Sequence, residues 1–507
     1  MNHDITLGIL FSFLVAFTVV AYFAKKNAPE TGTSTESYVI GGRSMGTVVL
    51  LLSMGATYFS TWTLLGAFGT YYRSGVWFSS FAVWTIFHGI FVWLFGTRIW
   101  LAGKKFGFFT PGQMFQHYYS SKRLRIAVAI VGILALVPVM LIQISGGAQA
   151  LESLTDGMVP YVIGVTVTSL MVGVIVLWAG FKGTAWTDSF MGLFFASILI
   201  FTAFYAADKA GGFALFEKAL AHSPEKMVTG GNPLKMIELW LGLGFGAWVL
   251  PHMWQKYYSA SSAEVLGKVA AMTPFWNSWM MAIIPLVVGT AAMIPGVVPG
   301  VTAATSDTIL PQFFSAHLPV LGAFVVAGIL AAAISTINSQ LLSSASIVAE
   351  DIVNSLRKSP MTSINTVRVT KLAVIALTLL VFVLALTPGG AGFLIPIASL
   401  GFGLGLQIVP SALGILYFRS ISEAGAFWGL ITGASAMGIS ALLGLNFIVG
   451  HGLFGLIINV IVTVVISQKT QPVSQDSVAQ YHNMYAAYMT DNVSTDDEVS
   501  DHIVPQK

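Results

Sequence analysis

The chain contains no cysteine, so disulfides, thiolate metal sites and cysteine nucleophiles are excluded at the outset. Charge is scarce as well. Lys, Arg, Asp and Glu make up 9% of the 507 residues, against roughly a quarter in an ordinary soluble domain. A water-soluble fold of this length needs more polar surface than that over its core, so the 55% of hydrophobic residues must largely face lipid. The formal net charge of +3 comes without a basic domain or an aromatic-basic motif, which argues against nucleic acid as a partner. No nucleophile with a base and no metal-ligand cluster occurs at motif spacing, so neither an enzyme nor an enzymatic cofactor is expected. Glycine is plentiful, at 51 residues, as expected where helices pack closely or break inside a bilayer.

A hydrocarbon core about 30 Å thick needs about 20 mainly apolar residues per helix. Runs of that kind lie at 5–24, 47–72, 76–101, 123–149, 158–179, 186–207, 236–254, 269–294, 319–353, 367–386, 391–417, 424–444 and 446–467. The expected fold is therefore an all-α polytopic membrane protein with 13 transmembrane helices. Met1 to Asp4 carry no positive charge, whereas Lys25 and Lys26 follow the first run, which reads as an uncleaved anchor with its N-terminus outside. In that orientation only Arg73, Lys209, Lys218, Lys226 and Lys235 of the 24 basic residues lie outside, so 24 less 5 leaves 19 inside. The asymmetry favours N-out and C-in, and a multi-pass protein of the plasma (inner) membrane. The tail 468–507 is polar and acidic and is expected to be disordered.

Two spans carry residues that break helices. The second reads Ser53-Met-Gly-Ala-Thr-Tyr-Phe-Ser-Thr-Trp-Thr-Leu-Leu-Gly66, and the seventh Leu241-Gly-Leu-Gly-Phe-Gly-Ala-Trp-Val-Leu-Pro251. Glycine weakens a helix by roughly 1 kcal/mol and proline by about 3, so both should unwind. Unwound backbone in a membrane must line a cavity or be buried in protein. The two segments lie five spans apart, and five is odd, so the halves that contain them have opposite orientation. That is the layout of an inverted-repeat carrier with its site between two discontinuous helices. Close helix packing alone would also use such glycines.

Four stretches resemble one family. Tyr38-Val-Ile-Gly-Gly-Arg-Ser-Met-Gly46 is similar to its segment before the first core helix, and Trp186-Thr-Asp188 to the opening of its fifth. Leu250-Pro-His252 is similar to the end of the sixth core helix, and Ala331-Ala-Ala-Ile-Ser-Thr-Ile-Asn-Ser-Gln-Leu-Leu342 to the eighth. Together they resemble the sodium:solute symporter family, over roughly residues 5–445. The resemblance implies a LeuT-type core of two inverted five-helix repeats at 47–207 and 236–417, joined by an extracellular loop at 208–235. An extra helix and cytoplasmic linker would occupy 1–46, and further helices 418–467. The implied function is Na⁺-coupled import of a small organic solute by alternating access. The nearest branches in feel are pantothenate and monocarboxylate permeases, which points to a carboxylate. Proline-type members differ at Tyr58, Leu243 and Ala247, and a neutral or zwitterionic solute such as an amino acid is the alternative.

Ser335, Thr336, Ser339 and Ser343 fall on one helical face with Ala332 a turn before, which is either a packing seam or a set of oxygens for a hard cation. The resemblance implies the second: the Ala332 carbonyl and the Ser335 and Thr336 hydroxyls would face the carbonyls of Ala56 and Phe59 around one Na⁺. It also implies that Asp188 is a station on the ion's exit route, although a carboxylate there equally suits a helix N-terminus. Ser60, Thr61, Trp62 and Thr63, with Phe245 and Trp248, are the candidates to line the solute cavity. A carboxylate would be met there by freed N–H groups and helix dipoles, since no basic side chain is expected at that depth. Gln143, Asn277, Asn338 and Gln407 could contact solute or bond between helices, and His88 and His252 read as structural. An ion channel is the rival of a different class, but neither a repeated filter nor a ring of charge is visible.

Overall fold

The computed structural model describes residues 7–12, 15, 16, 18, 19, 35–58, 60–228, 230, 233–445 and 449–490. Among these the chain is helical throughout. The principal helices are α1 (Thr47–Tyr58), α2 (Trp62–Ser74), α3 (residues 80–106), α4 (Pro111–Tyr119), α5 (Lys122–Leu154) and α6 (Tyr161–Ala210). They continue as α7 (residues 233–246), α8 (Pro251–Ser259), α9 (Ala263–Ala291), α10 (Ile309–His317), α11 (Pro319–Asn354) and α12 (Ser363–Ala385). The chain then forms α13 (Leu394–Leu406), α14 (Val409–Leu416), α15 (Glu423–Leu442), α16 (His451–Ser467) and α17 (Gln475–Thr490). Among the described residues seven helical segments are long and apolar enough to cross a membrane, or nine if each bent pair is one span. Large apolar side chains such as Leu170, Val174 and Phe204 stand exposed on these helices, as lipid contact requires.

α11 is the axis of the bundle. Its most apolar window is 83% buried, against 28% for α12, and it packs against α5, α6 and α12. A stretch rich in Ala and Ser suits that position, because small side chains let neighbouring backbones approach.

Both expected breaks are present. α1 and α2 meet at 54° across residues 59–61. α7 ends in a π turn at Gly242–Gly246, and Leu250 is extended (φ −61°, ψ 137°) before Pro251 opens α8. A third break falls inside the run 391–417, where α13 and α14 meet at 41°. Its cause is legible in the chain: Gly401, Gly403 and Gly405, then Pro410, repeat the spacing of Gly242, Gly244, Gly246 and Pro251. The two glycine stripes face each other, and a Cβ added at Gly405 would lie 2.8 Å from the Gly246 carbonyl oxygen.

One expectation is corrected. Residues 475–490 of the tail are not disordered but form α17, because Tyr481, Met484 and Tyr485 share one helical face and bury it against α3 and α4. Residues 491–507 lie outside the described set. Asp188 lies within the helical stretch of α6, where its second membrane-length segment, Asp188–Ala210, begins.

Candidate ion and solute site

The two breaks meet at one small cavity of about 40 Å³. Thr57, Tyr58, Ser60 and Trp62 come from the α1–α2 break, Ala247, Leu250, His252 and Met253 from the α7–α8 break, and Thr336 and Gln340 from α11. Phe402 of α13 and His88 of α3 close it. No Lys, Arg, Asp or Glu lines it. At about 10–15 Å³ per water, the space holds a few waters, so a solute enters only when these walls part.

The ion candidates meet at its edge. The Thr336 hydroxyl donates to the Ala56 carbonyl at 3.1 Å, across 280 residues of sequence, and the Ser335 hydroxyl donates to the Ala332 carbonyl at 3.1 Å. All four residues are buried. The Ala56 carbonyl lies near the end of α1, where the break leaves carbonyls without helical donors. Phe59, the fifth expected ligand, lies outside the described residues.

Asp188 meets α1 one turn before Ala56. Its Oδ2 accepts from the Ser53 hydroxyl at 2.9 Å and pairs with Lys256 Nζ at 3.2 Å, and Lys256 also reaches the Ser53 carbonyl at 3.1 Å and its hydroxyl at 2.6 Å. Sequence reasoning counted Lys256 with the cytoplasmic loops. Here it is 1% exposed, held by three oxygens of the kind that bind alkali cations. Ser53 lies one turn from Ala56 on α1, so the ammonium and the candidate ion ligands are neighbours along one helix.

Of the expected solute residues, Ser60 and Trp62 line the cavity. Thr61 instead donates its hydroxyl to the Ile142 carbonyl at 2.7 Å and its N–H to Gln143 at 3.1 Å, and Thr63 donates to the Tyr58 carbonyl at 2.6 Å. Both fix the broken end of α2. Phe245 packs on Phe91 at 4.7 Å and Trp248 stacks on Phe95 at 4.0 Å, so both face α3 behind the cavity. Phe245 lies within the π turn and Trp248 just after it, where the wider turn departs from the regular helical phase. Gln143 and Gln407 serve interhelical bonds, and Asn277 bonds His88 at 3.1 Å. Tyr58, His88, His252 and Gln340 are the lining residues that the sequence reading assigned elsewhere or left out.

The profile of the sodium:solute symporter family matches residues 38–433. The chain belongs to that family. It is 26% identical over 471 residues to the sodium/pantothenate symporter of Escherichia coli (strain K12), which covers 89% of this chain and 93% of that one. It is 27% identical over 493 residues to the sodium/proline symporter of Staphylococcus aureus (strain JH9), with 92% of each covered. Its fold is similar to that of a Na⁺-coupled sialic acid symporter solved in a substrate-bound outward-open state, with a TM-score of 0.77 at 20% identity over 93% of this chain and 99% of that one. This sodium:solute symporter is a multi-pass membrane transporter coupled to Na⁺, and not an enzyme. Na⁺ is its coupling ion and a small solute its cargo.

Proposed function

We propose that the symporter imports a small organic carboxylate, of the monocarboxylate or pantothenate class, across the plasma (inner) membrane by alternating access. Thirteen helices run N-out and C-in, with inverted repeats at 47–207 and 236–417, the loop 208–235 outside, and extra helices within 1–46 and 418–467. One Na⁺ is held by the Ala56, Phe59 and Ala332 carbonyls and the Ser335 and Thr336 hydroxyls, and Asp188 receives it on the way out. Ser60 and Trp62 contact the solute, while Thr61, Thr63, Phe245 and Trp248 support the wall behind them.

One observation carries this reading: the Thr336 hydroxyl bonds the Ala56 carbonyl at 3.1 Å on the wall of a cavity with no charged side chain. An ion bound there ties α1 to α11 and has different affinities for conformers in which they part, which is the condition for coupling. Its charge also offsets that of an anionic solute where no Lys or Arg can. The similarity to the pantothenate symporter supports the same substrate class. The test is uptake into proteoliposomes of labelled propionate, pyruvate, pantothenate and proline, with and without an inward Na⁺ gradient. Each acid competes against its amide or alcohol. Na⁺-dependent uptake of an acid that its neutral analogue fails to inhibit is expected. Equal inhibition by acid and analogue, or uptake of proline alone, overturns the carboxylate reading in favour of a neutral or zwitterionic solute.

A further inference from the structure

The cavity has one pole whose polar groups have no task inside the protein. His252 is 5% exposed and Gln340 1% exposed, both line the cavity, and neither His252 Nδ1 nor Gln340 Oε1 has a hydrogen-bond partner among the described residues. A buried donor or acceptor left unpaired is costly, so two on the wall of one cavity point to a ligand. His88 differs: it bonds Asn277 and stacks on Tyr58 with ring centroids 4.6 Å apart.

The backbone adds to this pole. α8 starts at Pro251, and Leu250 before it supplies no capping side chain. Proline has no N–H, and the Met253 and Trp254 N–H groups turn back to the Leu250 carbonyl at 2.9 and 3.4 Å. The donor of the first turn that remains is the His252 N–H, on the residue whose imidazole faces the cavity. Partial positive charge gathers at this helix end. Gln340 lies one turn along α11 from Thr336, so the pole adjoins the candidate ion ligands. The same cavity also has an apolar lining, with Val139, Ile142, Met281 and Phe402.

We propose that the first turn of α8, with the His252 imidazole and the Gln340 amide, receives the solute's carboxylate, while the apolar wall receives its tail. The assignment rests on the carboxylate reading above. His252 is then a specificity-determining residue. Its ring and main-chain N–H groups donate to one carboxylate from adjacent positions, and the Gln340 amide, turned so that its NH₂ takes the place of the unpartnered oxygen, donates from α11, a geometry that an amide or alcohol cannot use as fully because its acceptors carry no charge.

The experiment measures binding to purified, reconstituted full-length protein in saturating Na⁺, with propionate and propionamide, and pantothenate and panthenol, as probes. The wild type must first prefer an acid over its neutral analogue, and the absence of such a preference overturns the carboxylate reading itself. Given that preference, His252→Ala is expected to weaken the acid at least tenfold and the neutral analogue less than about twofold. His252→Gln, which keeps a donor, should recover part of the loss. Na⁺-induced thermal stabilisation in both variants reports that the ion site and the fold survive. Equal weakening of acid and analogue would assign His252 a structural role, and unchanged discrimination in His252→Ala and Gln340→Leu would remove the site. If His252→Ala does not fold, His252→Gln and Gln340→Leu decide by the same ratio.

Discussion

Thr336 joins two helices through one hydroxyl, and its removal separates coupling from folding. Thr336→Ala deletes one of the five oxygens proposed to hold Na⁺ and leaves a cavity no larger than a methyl and a hydroxyl. The concentration of Na⁺ giving half-maximal uptake is expected to rise at least fivefold with normal amounts of folded protein. An unchanged Na⁺ dependence in Thr336→Ala and in Ser335→Ala/Thr336→Ala would exclude this ion site. Lys256 and Asp188 call for a different design, because both are 1% exposed and breaking such a pair by removing one partner costs about 3–5 kcal/mol. Asp188→Asn and Lys256→Met should each lower the yield of folded protein, and the double variant should restore it. If Asp188 lies on the ion's way out, the restored protein binds solute normally but transports at least tenfold more slowly. Full transport by the double variant would make the pair purely structural. The meeting of Thr336 with Ala56 was legible in the sequence because a short motif on α11 carries Thr336. Lys256 was not, because a lysine following a proline and a histidine near a span's end reads as a loop charge until the fold buries it.

At the level of elements, glycine and proline spacing foretold two breaks, and the same spacing repeated at 401–410 held a third that composition alone did not separate from an ordinary apolar run. The phase of a helix after a π turn is harder to read. Phe245 and Trp248 were expected to line the cavity, and beside the π turn they pack on α3 instead. α17 shows the converse case, since its aromatic face was written at the i, i+3 and i+4 positions of Tyr481, Met484 and Tyr485 inside an otherwise polar tail. The facing stripes of α7 and α13 permit a direct test. A Cβ at Gly405 meets the main-chain oxygen of Gly246 at 2.8 Å, and a backbone cannot step aside cheaply. Gly405→Ala should therefore destabilise by about 1–3 kcal/mol, seen as a lower melting temperature in detergent. Gly438→Ala, whose Cβ meets nothing within 4 Å, is the matched control and should change it little. Equal effects of the two substitutions would mean that α7 and α13 do not depend on that close approach.

At the scale of the whole molecule, the closed cavity is sealed by contacts that no local pattern could reveal, because the partners are hundreds of residues apart. Arg73 at the end of α2 pairs with Asp307 at 2.6 Å and lies 4.1 Å over the Phe393 ring, while the other Asp307 oxygen accepts the Leu394 N–H at 3.1 Å. Burial pushes the Asp307 carboxyl up from its usual range, and Arg73 and the Leu394 N–H oppose that shift. One carboxylate thus ties α2, the segment before α10 and the start of α13, on the side that the proposed topology puts outside. A second cluster closes α11 at its other end, where Arg125 pairs with Asp351 at 2.7 Å and the Thr110 hydroxyl donates to it at 2.8 Å. If the proposed alternating access opens these clusters in turn, weakening one should shift the population toward the face it seals. The absence of cysteine makes this measurable, because Ser60→Cys places a single thiol in the cavity. In right-side-out vesicles, adding Asp307→Asn should speed alkylation of that thiol by an external membrane-impermeant maleimide at least threefold, and Asp351→Asn should slow it. No change with Asp307→Asn would show that this contact does not hold the outer route shut, and acceleration only in inverted vesicles would reverse the proposed orientation.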